Sequence, residues 1–267
     1  MSRLSSLPVS LRHAISGRRL LKVIAGLTNF DQGAVERVAR AAAAGGADLV
    51  DIACDPALVA AVRAVAPELP VCVSAVDPEL FPAAVAAGAA MVEIGNFDAF
   101  YPQGRIFGAD EVLELTRRSR SLLPEVVLSV TVPHVLPLDQ QELLAVDLVA
   151  AGADLIQTEG GTSARPFSAG SLGLIEKAAP TLAAAHALSR ALQVALVEPL
   201  PVLCASGLSA VTVPMALAAG AAGVGVGSAV NRLGDELAMV AVVRGLREAI
   251  DAVAPAAAGS ASSRAAA

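Results

Sequence analysis

The chain has no tryptophan, one tyrosine and six phenylalanines in 267 residues, so aliphatic side chains must fill its core. Charge is scarce too: Asp, Glu, Lys and Arg make up 16% of the residues, against 55% hydrophobic types. With a net charge of −6 and no basic run longer than Arg117–Arg118 plus Arg120, a nucleic-acid surface is excluded, because such surfaces need clustered Lys and Arg. Cysteine is limited to Cys54, Cys72 and Cys204, with no CxxC and no Cys/His ligand spacing. That pattern gives no metal site and implies buried, reduced thiols in a cytosol-like compartment. No secretory h-region is present. The first thirty residues hold no acid, as transit peptides do. A short helix over Pro8–Arg18, closing the bottom of a barrel, accounts for them better.

One long stretch, Pro199–Asn231, has no charge at all and exceeds the length that spans a bilayer. Its three prolines, five glycines and change of texture argue against a span. Val202–Leu208 reads as a strand, Ser209–Ala219 as a helix and Gly223–Gly227 as a strand. Strands of a parallel sheet are buried on both faces, so an uncharged β-α-β run is expected of them.

The rest of the chain repeats this alternation. Further strands are expected at Leu20–Leu27, Leu49–Cys54, Val71–Val76, Met91–Gly95, Val126–Val132 and Leu155–Glu159, each followed by a helical pattern. Eight β-α units predict an α/β fold, a single (β/α)8 TIM barrel with a short N-terminal helix, and the length suits one such domain over 1–253. The Ala/Ser/Gly-rich tail Ala254–Ala267 is expected to be disordered. An open doubly wound sheet is the alternative, but Gly26-Leu27-Thr28-Asn29 stands where a G-x-G-x-x-G would follow the first strand. A repeat favours closure. A small residue, then Gly-Ala, then a strand recurs on Gly46, Gly88, Gly152 and Gly220, before strands two, four, six and eight. A glycine there ends the preceding helix in a left-handed turn.

Aligned on those glycines, Asp51, Glu93, Gln157 and Gly225 share one layer, with Ala53, Gly95, Glu159 and Gly227 two residues above it. Carboxylates inside a barrel need partners or shifted pKa values. They form either a structural ion-pair network or acid–base machinery under the catalytic mouth. Lys22, in the first strand, is the natural partner. Only Lys22 and Lys177 among nineteen basic residues are lysine, so a strand lysine suggests either a deprotonatable amine or simple neutralisation of Asp51 or Glu93. His134, just past the fifth strand, is a candidate acid–base group or a loop cap. Asn29, Ser74, Asn96, Thr131 and Gln157 are candidate pocket residues at strand ends. Six of the seven aromatics fall on the strand-to-helix side, where they suit a lid or an organic ligand pocket, or pack a long loop on the rim. The loop Gly160–Gly173 reads as a closing segment.

Ala205-Ser206-Gly207-Leu208 and Gly225-Val226-Gly227-Ser228-Ala229 end strands seven and eight, where barrels commonly bind phosphate. Ser206, Gly207, Gly225, Gly227 and Ser228 are the candidate phosphate contacts, the glycines allowing close backbone approach.

These two strand ends resemble those of ribulose-phosphate-binding barrels, thiazole synthase and flavin-mononucleotide oxidoreductases. More specifically, six segments resemble an uncharacterised barrel family of cyanobacteria and red-algal plastids, the hypothetical chloroplast reading frames. They are Ala53-Cys54-Asp55-Pro56, Ser74-Ala75-Val76-Asp77-Pro78, Val92–Asp98, Thr131-Val132-Pro133-His134, Gln157-Thr158-Glu159-Gly160 and Cys204–Asn231. The resemblance implies the barrel and lends no catalytic residue. The expectation is an enzyme acting on a small phosphorylated metabolite as a lyase, isomerase or synthase, using Lys22, Asp51, Glu93, Glu159 and His134. The alternatives are a barrel oxidoreductase holding FMN at the same turns, or a non-catalytic ligand-sensing barrel. No other cofactor, nucleic acid or membrane is expected; a homo-oligomer is left open. The expected compartment is the cytoplasm, or the stroma for a plastid-encoded chain.

Overall fold

A computed structural model describes residues 3–253; the tail from 254 lies outside the described residues. Eight parallel strands close into one barrel in chain order. They are β1 (Leu20–Gly26), β2 (Leu49–Ala53), β3 (Val71–Ala75), β4 (Met91–Ile94), β5 (Val127–Thr131), β6 (Leu155–Gln157), β7 (Val202–Ala205) and β8 (Gly223–Val226). Closure pairs Leu20 with Gly223 and Lys22 with Gly225. The helices are α1 (Val9–Ser16), α2 (Gln32–Gly45), α3 (Pro56–Val65), α4 (Phe81–Ala86), α5 (Ala109–Leu122), α6 (Leu138–Ala151), α7 (Gly170–Ala195), α8 (Val213–Ala218), α9 (Ser228–Asn231) and α10 (Glu236–Asp251). The uncharged stretch is therefore β7-α8-β8, and among the described residues no helix is long and apolar enough to cross a membrane.

The glycine repeat has one mechanical job, done four times. Gly46, Gly88, Gly152 and Gly220 all have positive φ, between 86° and 114°. In each case the next residue donates to a carbonyl five positions back: Ala47 to Ala42, Ala89 to Ala84, Ala153 to Leu148 and Ala221 to Ala216, at 2.9–3.2 Å. This is the hydrogen bond of a Schellman turn, and it satisfies carbonyls the helix leaves open. The residue after that donates to the preceding odd strand: Asp48 to Leu21, Ala90 to Val71, Asp154 to Leu128 and Ala222 to Val202, at 2.8–2.9 Å. One turn thus ends the helix and sets the height of the even strand that follows.

The barrel interior divides in two. Leu20, Leu49, Cys72, Met91, Val127, Leu155 and Leu203 form a lower cluster, capped by Leu7, Leu11, Ala14 and Ile15 from α1 and its approach. All three cysteines are buried and free; burial pushes the Cys204 thiol up to about 11. Above the lower cluster the interior turns polar. Several strands end sooner than their sequence suggests. β7 stops at Ala205, not Leu208, because Ser206 and Gly207 take φ of 78° and 75° and turn the chain over the rim.

Candidate functional site

Lys22 rises from β1 into the polar half and is fully buried. Its ammonium meets Asp51 Oδ2 at 3.0 Å, Glu93 Oε2 at 2.7 Å and Gln157 Oε1 at 3.0 Å. Three acceptors for three N–H bonds leave it no free donor. Burial alone would lower its pKa, but Asp51 and then Glu93 outweigh that, and the net shift is upward. The three acceptors and the upward shift both favour the protonated amine over the free lone pair that a Schiff base needs. Burial lifts the Glu93 carboxyl, with Lys22 opposing that rise and Asp51 adding to it.

Hydroxyls and amides complete the cluster. Ser74 Oγ donates to Asp51 at 2.6 Å, and Ser129 Oγ to Glu93 at 2.7 Å. Gln157 Nε2 donates to Glu93 Oε1 at 2.7 Å and to Thr131 Oγ1 at 3.2 Å. The fourth even-strand position is Gly225, where an added Cβ would lie 2.9 Å from Ala205 Cβ and 3.1 Å from Ile24 Cδ1, so Ile24 fills the gap. Asn96, in the left-handed region at φ 60°, sits over the cluster. Its Nδ2 donates to Glu93 at 3.2 Å, Ser74 at 3.4 Å and Asp51 at 3.5 Å.

Above Asn96 lies a cavity of about 190 Å³. Its walls include Asn96, Asp98, Glu159, Ser206, Gly207 and Ser228, together with Gly227, Thr162 and Asn231. The N–H groups of Ser206, Gly207, Gly227 and Ser228 meet no acceptor among the described residues. Gly207 is packed backbone to backbone against the loop after β6: a Cβ on it would lie 2.8 Å from Gly161 Cα and 2.8 Å from Lys177 O. Only glycine allows that approach at a positive φ. Lys177 donates to Ala164 O at 3.1 Å and lies in the fields of Arg232 and Asp98, with burial and then Arg232 lowering its pKa.

Glu159, 3% exposed, is the most heavily bonded acceptor at the mouth. It receives the Tyr101 hydroxyl, the backbone N–H of His134 at 3.2 Å, that of Asp98 at 3.2 Å, and faces His134 Nδ1 at 3.1 Å. Burial and the adjacent Glu159 push the Tyr101 phenol up, so it stays a donor.

The sequence-based candidates thus divide into two tiers. Lys22, Asp51, Ser74, Glu93, Thr131 and Gln157 gather in the buried cluster, with Asn96 as its roof. Glu159, Ser206, Gly207, Gly227 and Ser228 line the cavity above it, His134 stands behind Glu159, and Gly225 lies below in the barrel wall. Asn29 joins neither tier. It closes its own turn, Nδ2 donating to Ala25 O at 3.3 Å and Oδ1 accepting from Asp31 N at 3.2 Å.

Sequence reasoning missed Asp98, Thr162, Ser163 and Asn231, and reached Tyr101 only as one of the aromatics on the strand-to-helix side. Asp98 Oδ2 accepts from Thr162 Oγ1 at 2.6 Å and Ser206 Oγ at 3.3 Å. Asn231 Nδ2 donates to Ile24 O at 2.6 Å, while its buried Oδ1 has no partner among the described residues. The density of hydroxyls and glycines over Thr158–Ser163 was the available signal. Among the described residues no group of three or more His, Cys, Asp or Glu is placed to hold a metal ion.

Comparison with known proteins agrees with this architecture. The solved structures it resembles include a 3-hexulose-6-phosphate synthase, with TM-score 0.59 and 18% identity over 86% of this chain and 99% of that one. Another is a (S)-3-O-geranylgeranylglyceryl phosphate synthase from Thermoplasma acidophilum, with TM-score 0.56 and 15% identity over 95% and 100%. At such identities the likeness concerns the fold alone. Sequence relatives lie much nearer. The uncharacterized protein ycf23 of Cyanophora paradoxa is 42% identical over 223 residues, covering 84% of this chain and 89% of its own. That of Porphyra purpurea is 36% identical over 230 residues, covering 86% and 84%. Residues 6–255 match the family described as "Protein of unknown function (DUF561)". The chain is a member of that family, and its fold is a closed (β/α)8 barrel.

Proposed function

We propose that this barrel is an enzyme acting on a small phosphorylated metabolite whose phosphate lies on the turns after β7 and β8. One observation carries the reading: Ser206, Gly207, Gly227 and Ser228, whose backbone N–H groups meet no acceptor among the described residues, line the same cavity as Glu159 and Asn96. Amide groups fixed by a glycine turn stabilise an anion without reorganising. Lys177 and Arg232 add positive potential nearby. The Glu159 carboxylate repels a phosphate, so the phosphate belongs at the turn end and the reacting carbon toward Glu159 and Asn96; Asp98, which accepts from Ser206 Oγ at 3.3 Å, stands beside the turn end and opposes the anion there. Solved structures named as phosphate synthases share this fold, which supports the class without specifying a reaction.

Chemistry of the lyase, isomerase or synthase kind needs a proton acceptor and a fixed electrostatic field. The Glu159–His134 pair supplies the first, with His134 taking the proton; the buried Lys22 ammonium under Asn96 and Gln157 supplies the second. Lys22 acts by charge and not as a nucleophile. The orphan Asn231 Oδ1 suits a substrate hydroxyl. A cavity of about 190 Å³ fits a compact molecule. It falls below the roughly 300–1,000 Å³ of pockets for larger ligands, which weighs against FMN.

Titration with inorganic phosphate against chloride at matched ionic strength tests the anion site. At a hundredfold excess over Kd, bound phosphate stabilises by about 2.7 kcal/mol. That raises Tm by several degrees, at about 2–4 °C per kcal/mol for a chain of this size. Ser228→Asp keeps the start of α9 satisfied, because acids suit helix N-termini, and fills the site with its own charge. It should fold normally and lose the phosphate effect. No rise in wild type, or an equal rise in Ser228→Asp, refutes the site.

A further inference from the structure

The Glu159–His134 pair continues to a third residue. Ser163 Oγ lies 2.7 Å from His134 Nε2, and the opposite nitrogen, Nδ1, lies 3.1 Å from Glu159 Oε1. We propose that Ser163, His134 and Glu159 form a nucleophilic triad at the mouth of the barrel, acting on carboxylic esters or thioesters.

The hydrogen bonds fix each role. Glu159 already receives the Tyr101 hydroxyl and two backbone N–H groups, an arrangement made for an ionised, acceptor-only carboxylate. His134 must therefore donate through Nδ1, which leaves the lone pair on Nε2. The hydrogen between Nε2 and Ser163 then comes from the serine. That is the polarity a serine nucleophile requires, its hydroxyl aimed at a base that a buried carboxylate orients. Tyr101 braces the imidazole edge-on, with ring centroids 5.1 Å apart.

Ser163 is exposed, yet the loop on each side of it is anchored. Thr162 donates to Asp98 at 2.6 Å, Ala164 O accepts from Lys177 at 3.1 Å, and Gly161 abuts Gly207. Ser168, further along this segment, donates to Glu176 at 2.7 Å and faces no histidine in that bond.

In the reaction Ser163 Oγ attacks the carbonyl carbon while its proton passes to His134 Nε2, and Glu159 stabilises the imidazolium. The tetrahedral adduct collapses by breaking the carbon–oxygen or carbon–sulfur bond, and His134 returns the proton to the departing alcohol or thiol. Water, deprotonated by His134, then cleaves the acyl-serine to the free acid and restores the triad. Thr162 lines the cavity next door, so an acyl group on Ser163 would stand at the rim of the anion site. That last placement alone rests on the phosphate reading above.

The test uses the full chain with a fluorophosphonate probe in phosphate-free buffer, read by intact mass and peptide mapping. One adduct should form, on Ser163. It should be absent in Ser163→Ala and at least about 10²-fold slower in His134→Ala, the usual weight of a general base. Ser168→Ala should label as wild type does. Release of p-nitrophenol from p-nitrophenyl acetate should show a burst equal to the labelled fraction. No adduct on a folded chain, an adduct elsewhere, or an unchanged rate in His134→Ala overturns the triad. Because no phosphate is present, such a failure leaves the phosphate-induced rise in Tm standing as a separate result, and the reverse also holds.

Discussion

Lys22 Nζ and Glu93 Oε2 lie 2.7 Å apart with neither side chain exposed, and Asp51 completes a buried cluster with two carboxylates for one ammonium. Removing the cation leaves the carboxylates uncompensated. Lys22→Met should cost about 3–5 kcal/mol in urea unfolding, the usual loss when one partner of a buried pair is deleted. Adding Glu93→Gln to that variant should recover part of the loss, because one stranded charge disappears. Additive losses would show that the pair is not coupled in this way.

Alkaline titration should expose Lys22 together with the other shielded proton donors. The folded-state pKa values of Lys22, Tyr101, Cys54, Cys72 and Cys204 are all raised. Above its unfolded pKa each group holds its proton in the folded chain and releases it in the unfolded one. Stability therefore falls as pH rises. The decline should begin above about pH 8.5 with the thiols and steepen above about pH 10 with Lys22 and Tyr101. Each fully buried group contributes at most about 1.4 kcal/mol per pH unit. Urea midpoints between pH 7 and 11 measure this. Lys22→Met should flatten only the upper part, and equal flattening at pH 9 would contradict the assignment.

Two glycines with nearly the same backbone should respond unlike each other to alanine. Gly207 (φ 75°) and Gly104 (φ 77°) both pay roughly 1–2 kcal/mol for a Cβ in the left-handed region. A Cβ at Gly104 meets nothing within 4 Å, whereas at Gly207 it strikes Gly161 Cα and Lys177 O. Gly207→Ala should therefore be the more destabilised by at least about 1 kcal/mol, as overpacking generally is. It should also lose the phosphate effect, which Gly104→Ala should keep.

The tautomer of His134 is directly observable. Long-range proton–nitrogen spectra of the neutral imidazole should show the proton on Nδ1, facing Glu159. Tyr101→Phe should preserve that tautomer and cost about 1.5–3 kcal/mol, the usual value of a hydrogen bond to a charged group. A proton on Nε2 would reverse the direction of the Ser163 hydrogen bond.

The buried cluster was legible because a barrel encodes its interior in register. Once the glycine repeat fixed the phase, a period of two placed Asp51, Glu93 and Gln157 at one height, and Lys22 had nowhere else to go. The strand 7 and 8 turns could be found from their glycines in the same way. The mouth could not. Asp98, Tyr101, Thr162 and Ser163 sit in long loops without periodicity. Their positions depend on contacts such as Gly161 against Gly207, which no local pattern records. Asn29 misled for a related reason. It follows a strand end, but Gly26 at φ 106° turns the chain, and the asparagine closes that bend instead of facing inward.

The seal that Leu7, Leu11 and Ile15 place across the lower cluster has a consequence for traffic. The barrel is a cup and not a pipe. Among the described residues the upper cavity opens at the rim where Glu159, Ser206 and Gly207 stand, and Asn96 separates it from the buried Lys22. A ligand of the proposed site would therefore enter and leave by the same rim, so release of one molecule would precede entry of the next.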